Sequence, residues 1–167
     1  AYTNDPMPLP LLLPHIASNA QWETELGLFN TNSDYTISGS LTGYDAQGQA
    51  KQTVSVTLAP HASYTATARQ TFTEPEELRY AIFRANVPGV RGYIRFRQGE
   101  TLRAAVPAQT LPHPGDAVGK TPVYATKYLP HIASDTTWWT GMALVNTASE
   151  PRELTLTFNS GESAVVS

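Results

Sequence analysis

The side chains that could do chemistry fall into three groups. The first is histidine: His15, His61, His113 and His131 each follow a proline. Imidazole ligates zinc and copper well, so these residues raise a metal site, with His15 and His131 the first candidates. Their spacing opposes it, because no two stand at the i, i+2 step of a strand or the i, i+4 step of a helix. A proline fixes φ and lacks a backbone donor, which suits a strand entrance, and the Pro-His pairs read as structural. The expectation is no metal and no cofactor.

The second group is the pair Trp138-Trp139. Neighbouring residues of a strand point to opposite faces, so if Trp138 enters a core, Trp139 faces out. An outward tryptophan can stack on a sugar ring or anchor a protein contact, or it can pack under a loop or a neighbouring module. The third group is basic: Arg79, Arg84, Arg91, Arg95, Arg97 and Arg103 crowd between positions 79 and 103. Arg95 and Arg97 share a strand face and could grip carboxylates or anionic sugars. The plainer reading is a solvated face paired across strands, with Glu74, Glu76 and Glu77 as the partners nearest in sequence. The ligand-binding candidates are therefore Trp139, Arg95 and Arg97.

Catalytic signatures are missing. The chain holds no G-x-S-x-G elbow, no H-E-x-x-H pair and no phosphate-cradling glycine loop. Its carboxylates sit at turns or on outward strand positions, whereas glycosidic chemistry needs two facing each other across a cleft. His131, Ser134 and Asp135 are near neighbours in sequence, which does not make a triad. No catalytic residue is expected.

Positioning these groups falls to strands. Trp22 to Leu28 alternates, with Trp22, Leu26 and Leu28 inward and Glu23 and Glu25 toward water. Val54, Val56 and Leu58 form a second alternating set, and Ile94 with Phe96 a third, set between outward arginines. Turn chemistry separates the runs at Asp45-Ala46-Gln47-Gly48, Gln98-Gly99-Glu100 and Asn159-Ser160-Gly161. One helical turn is expected over 73–78, capped by Thr73, with Pro75 in its first turn and Glu76 closing a capping box. Short strands and almost no helix predict an all-β fold: an antiparallel β-sandwich, Ig-like in the broad sense.

Composition agrees. The chain has 167 residues, of which 41% are hydrophobic and 15% charged, with a net charge of −3. That is too apolar for a disordered chain and too acidic for the phosphate grip of a nucleic-acid binder. No apolar run approaches the roughly 20 residues that span a bilayer. Cysteine is absent, which excludes disulfides and thiolate sites. A start at Ala-Tyr-Thr-Asn-Asp, without Met, is what a cleaved signal peptide or a trimmed chain leaves; abundant Thr, Ser, Asn and Gln with only three lysines carry more weight, and a secreted or cell-surface address is expected.

The strongest signal is internal. Residues 13–31 read LPHIASNAQWETELGLFNT and residues 129–147 read LPHIASDTTWWTGMALVNT, with 11 of 19 positions identical and no gap. The offset of 116 is the length of a whole sandwich domain, longer than a solenoid unit. The expected organisation is an N-terminal extension over 1–12 and a complete repeat over 13–107. A Pro/Gly-containing linker over 108–128 and a partial second repeat over 129–167 follow. The partial repeat lacks the strands that 54–106 supply to the first, leaving backbone groups to pair within the chain, with a neighbouring repeat or by self-association, unless the chain is a fragment of a longer repeat protein.

LPHIA, then Trp-x-Thr, then Leu-x-Leu-x-Asn or Ala-Leu-Val-Asn resembles tandem modules of secreted and surface proteins of bacteria. The resemblance continues through Leu-Ala-Pro-His at 58–61, the acidic loop at 74–77, Tyr-Ile-Arg-Phe and a closing Ala-Ala-Val-Pro at 104–107. It implies a bacterial, extracellular, noncatalytic β-sandwich of structural or adhesive use, involved in surface attachment or assembly, with no inherited site residues. The alternative expectation is a carbohydrate-binding module using exposed Trp and Tyr side chains. Partners are then a surface protein or a glycan, not nucleic acid.

Overall fold

The computed structural model describes residues 8–112, 136–137, 140–146, 148, 150–158 and 160–166. Eleven strands form among them: β1 (Leu11–Leu13), β2 (Trp22–Asn30), β3 (Ile37–Tyr44), β4 (Ala50–Leu58), β5 (Ser63–Thr67), β6 (Tyr80–Ala85), β7 (Val90–Gln98), β8 (Thr101–Pro107), β9 (Gln109–Thr110), β10 (Leu154–Thr157) and β11 (Ser163–Val166). One sheet has the order β4-β3-β6-β1-β9 and a second the order β5-β2-β7-β8; among the described residues, β10 and β11 form a two-stranded sheet of their own. Every pairing is antiparallel. The first two sheets pack face to face as a β-sandwich, the expected fold.

Alternation built this core. Leu26, Leu28 and Ile94 come from the four-stranded sheet, and Leu11, Leu13, Ile37, Leu41, Val56, Leu58, Ala81 and Phe83 from the five-stranded one. Phe72 and Leu78 close the side from the β5–β6 connection. The run Leu11–Leu13 does not alternate, and all three leucines are buried. Leu11 and Leu13 face the core; Leu12 faces the other way beside Ile82, where both are covered. The sandwich thus begins before residue 13, and through β9 paired to β1 it runs past residue 107.

Two local expectations are corrected. The capping box is not on the acidic loop: Thr67 and Gln70 cap a short helix, α1 (Ala68–Thr71), through reciprocal side-chain bonds. Glu74, without a side-chain capping bond, precedes a single 3₁₀ turn at Pro75–Glu77. The amide of Thr73, the predicted cap, donates instead to Gln52 Oε1 at 2.8 Å. Nor do the described Pro-His pairs open strands. Pro14 directly follows β1, and Pro60-His61 makes the tight turn between β4 and β5, with Ala62 N–H donating to Ala59 O at 3.0 Å.

The hairpin β10–β11 repeats a detail of β3–β4. In the earlier turn, Asp45 N donates to Gln49 O and Gly48 N to Asp45 O; in the later one, Phe158 N donates to Glu162 O and Gly161 N to Phe158 O. The two glycines hold φ of 74° and 88°, the left-handed region a Cβ disfavours. Thr157 then faces Ser163 as Tyr44 faces Ala50.

Candidate functional site

Among the described residues, a group of paired ionisable side chains lies on the outer face of the four-stranded sheet. Register sets it: β2 against β7 places Glu23 opposite Arg97, Glu25 opposite Arg95 and Gly27 opposite Tyr93. Since Leu26 and Ile94 point inward, their neighbours point out. Glu25 is the hub. Its Oε1 accepts from Arg95 at 3.2 Å and from the Tyr93 hydroxyl at 3.3 Å, and Arg97 lies 3.8 Å from its Oε2. The Arg95 guanidinium sits over the Tyr93 ring, 4.6 Å from its centroid. The ring in turn lies on Gly27, where a Cβ would overlap it. One face of Tyr93 is thus taken by backbone, and a cation stands over the ring.

Glu23 is spent in the same way. Its Oε2 meets Arg69 Nε at 2.9 Å, and its Oε1 accepts from the Ser18 hydroxyl at 3.0 Å. The pairing across strands is as expected but its partner is corrected from the acidic loop: Arg95 and Arg97 pair with Glu25, while Glu77 pairs with Lys51 at 2.9 Å. Sequence distance misled here, because antiparallel pairing joins residues 70 apart. What this cluster does chemically is pair with itself, three arginines against two carboxylates, with one positive charge in excess. Its arginines keep outward edges, with side chains 41% and 36% exposed, so a carboxylate ligand would compete with Glu25 for them.

His15 is packed, not poised. Its ring lies 5.3 Å from that of Phe96, tilted by 49°. Burial, and secondarily the Arg79 cation, push its pKa below the ordinary 6.5, which disfavours the charged form. No three His, Asp or Glu side chains gather into a metal-holding group among the described residues. His113, His131, Trp138 and Trp139 lie outside the described residues.

Two features escaped sequence reasoning. Asn30 is fully buried at the end of β2, its Nδ2 near three carbonyls: Tyr35 O at 2.7 Å, and Leu58 O and Ala59 O at 3.1 Å each. Its Oδ1 accepts from Asn32 N at 2.9 Å. An amide at an inward strand position was the available signal, and Asn146 repeats it in ALVN. The second feature is a cleft of about 200 Å³ lined by Leu9, Leu11, Phe83, Val87, Val90 and Arg91 among others. It is smaller than the roughly 300–1,000 Å³ of ordinary ligand sites.

No family model matches the chain, and no curated protein matches it. Among solved structures, a crystal structure from Thermotoga maritima, described as Thermotoga maritima 1070, superposes with a TM-score of 0.51 at 14% identity. The match covers 64% of this chain and 97% of that one. At that identity the likeness is one of fold, and it supports the sandwich.

Proposed function

We propose that this chain is a noncatalytic, extracellular module of a bacterial surface, whose work is structural: attachment or assembly through its β-framework. The observation that carries this reading is the self-pairing of the outer face. Glu23, Glu25, Tyr93, Arg69, Arg95 and Arg97 are engaged with one another, so the groups most able to bind or react serve the sheet. Buried Asn30 likewise serves backbone carbonyls. The partner on this reading is a neighbouring module that pairs through main-chain bonds with the second repeat. Fractionation of the producing bacterium tests it. The account expects the chain in the envelope or the medium, held there after soluble sugars are added. Recovery from the cytoplasm, or sugar-specific release abolished by Trp139→Ala, would overturn it, the second outcome in favour of carbohydrate binding.

A further inference from the structure

The chain enters and leaves the first sandwich at the same pole. β1 runs away from that pole, with Leu11 opposite Phe83 and Leu13 opposite Ala81. β9 runs back toward it, with Gln109 opposite Leu12 and Thr110 opposite Leu11. Just outside this pair, Leu111 N donates to Pro10 O at 2.8 Å. The β2–β3, β4–β5 and β6–β7 connections lie at this pole, and the β1–β2, β3–β4 and β7–β8 connections at the other. Load carried by the polypeptide across the sandwich therefore pulls Pro10 and Leu111 apart, sideways to their strands. Bonds between antiparallel strands run perpendicular to them, so this direction opens the seam one bond at a time.

The two sides of the seam are held unequally. β1 is buried along its whole length, pairs with β6 as well as β9, and gives Leu11 and Leu13 to the core. β9 is two exposed residues. Behind it the chain is held by Ala108 N, which donates to Gly92 O at 2.9 Å, and then by β8 along β7. None of residues 101–112 is a buried core residue; Val106 and Ala108 flank the core, partly buried. The β7–β8 ladder is itself irregular between Phe96 and Arg97, and it turns at Gly99, whose φ of 57° is left-handed. Freeing β9 and β8 thus breaks backbone bonds and uncovers little apolar surface. Freeing β1 would strip three leucines of their cover.

We infer that residues 101–112 are a tension-released clasp. Load across the sandwich peels β9 and then β8, with Gly99 as the hinge, and bares the edges of β1 and β7 while β1, β2, β3 and β6 keep their places. The module yields in a short first step before its core opens. This deepens the attachment reading and rests on it for the source of the load.

The test stretches the full chain between handles at Ala1 and Ser167. The sandwich should open in two steps, the first freeing residues 101–112, roughly 40 Å of extended chain. A staple then identifies that step. Arg95 faces Ala105 across β7 and β8, and the chain has no cysteine of its own, so Arg95→Cys with Ala105→Cys gives one possible disulfide. Oxidised, it should leave only 106–112 to be released and cut the first step by about half; a reducing agent should restore it. Without load, amides of 101–110 in the unaltered chain should exchange about tenfold or more faster than those of β2, β3 and β6. Opening of the sandwich in a single step would overturn the inference, as would a first step that the oxidised staple leaves unchanged, or equal exchange across these strands. Stepwise opening of a chain recovered from the cytoplasm would leave the clasp standing and defeat the surface reading.

Discussion

Asn30 is the residue on which one end of the sandwich turns. Its amide reaches carbonyls from the β2–β3 and β4–β5 connections, so removing it strands buried acceptors. Asn30→Leu should cost about 2–4 kcal/mol in denaturant unfolding, since an unpaired buried acceptor carries its desolvation penalty. Asn30→Asp should lose more as pH rises through the carboxyl range, because the charged form would face carbonyl oxygens. His15 carries a pH dependence of known sign. Its folded-state pKa is below 6.5, so the unfolded chain binds the proton more tightly. The contribution of this group is whole above pH 6.5 and is lost as pH falls from there toward the folded-state value. Unfolding curves at stepped pH should show that loss, and His15→Gln should remove it. His61 sits at φ 57°, a region that β-branched side chains resist. His61→Val should cost about 1–2 kcal/mol in the same assay, while His61→Gly is tolerated.

At the scale of elements, the pair β2–β7 decides the outer face. Gly27→Ala should destabilise the fold because the new methyl meets the Tyr93 ring, and Tyr93→Thr in the same chain should restore most of the loss. Additive losses in that double-mutant cycle would contradict the packing described. The ion pairs matter less: with arginine side chains this exposed, Arg97→Ala should change stability by less than about 1 kcal/mol. These strands were readable in the sequence because one face of each is buried, so apolar and polar residues alternate along 22–28, 53–58 and 93–97. Register was not readable, and with it went the partners of Arg95 and Arg97, which the nearby acidic loop seemed to offer. The cap was misplaced for a related reason: Thr67-x-x-Gln70 fits the pattern as well as the acidic loop does, and tertiary packing of Ala68 and Phe72 into the core favours the former.

For the whole molecule, we propose that residues 140–166 repeat the opening strands of the closed sandwich and that, among the described residues, they lie without its cover. The duplicated stretches 13–31 and 129–147 suggest the copy, and exposure separates their apolar residues, since Leu26 is 0% and Met142 42% exposed. The most direct test is a matched pair of unfolding measurements on the full chain. Leu26→Ala should lower stability by about 2–5 kcal/mol, the loss of a filled core position. Met142→Ala should stay within about 0.5 kcal/mol of the parent, as surface changes do. Equal losses from the two substitutions would mean that residue 142 is already covered, and the account of an open second copy would be wrong.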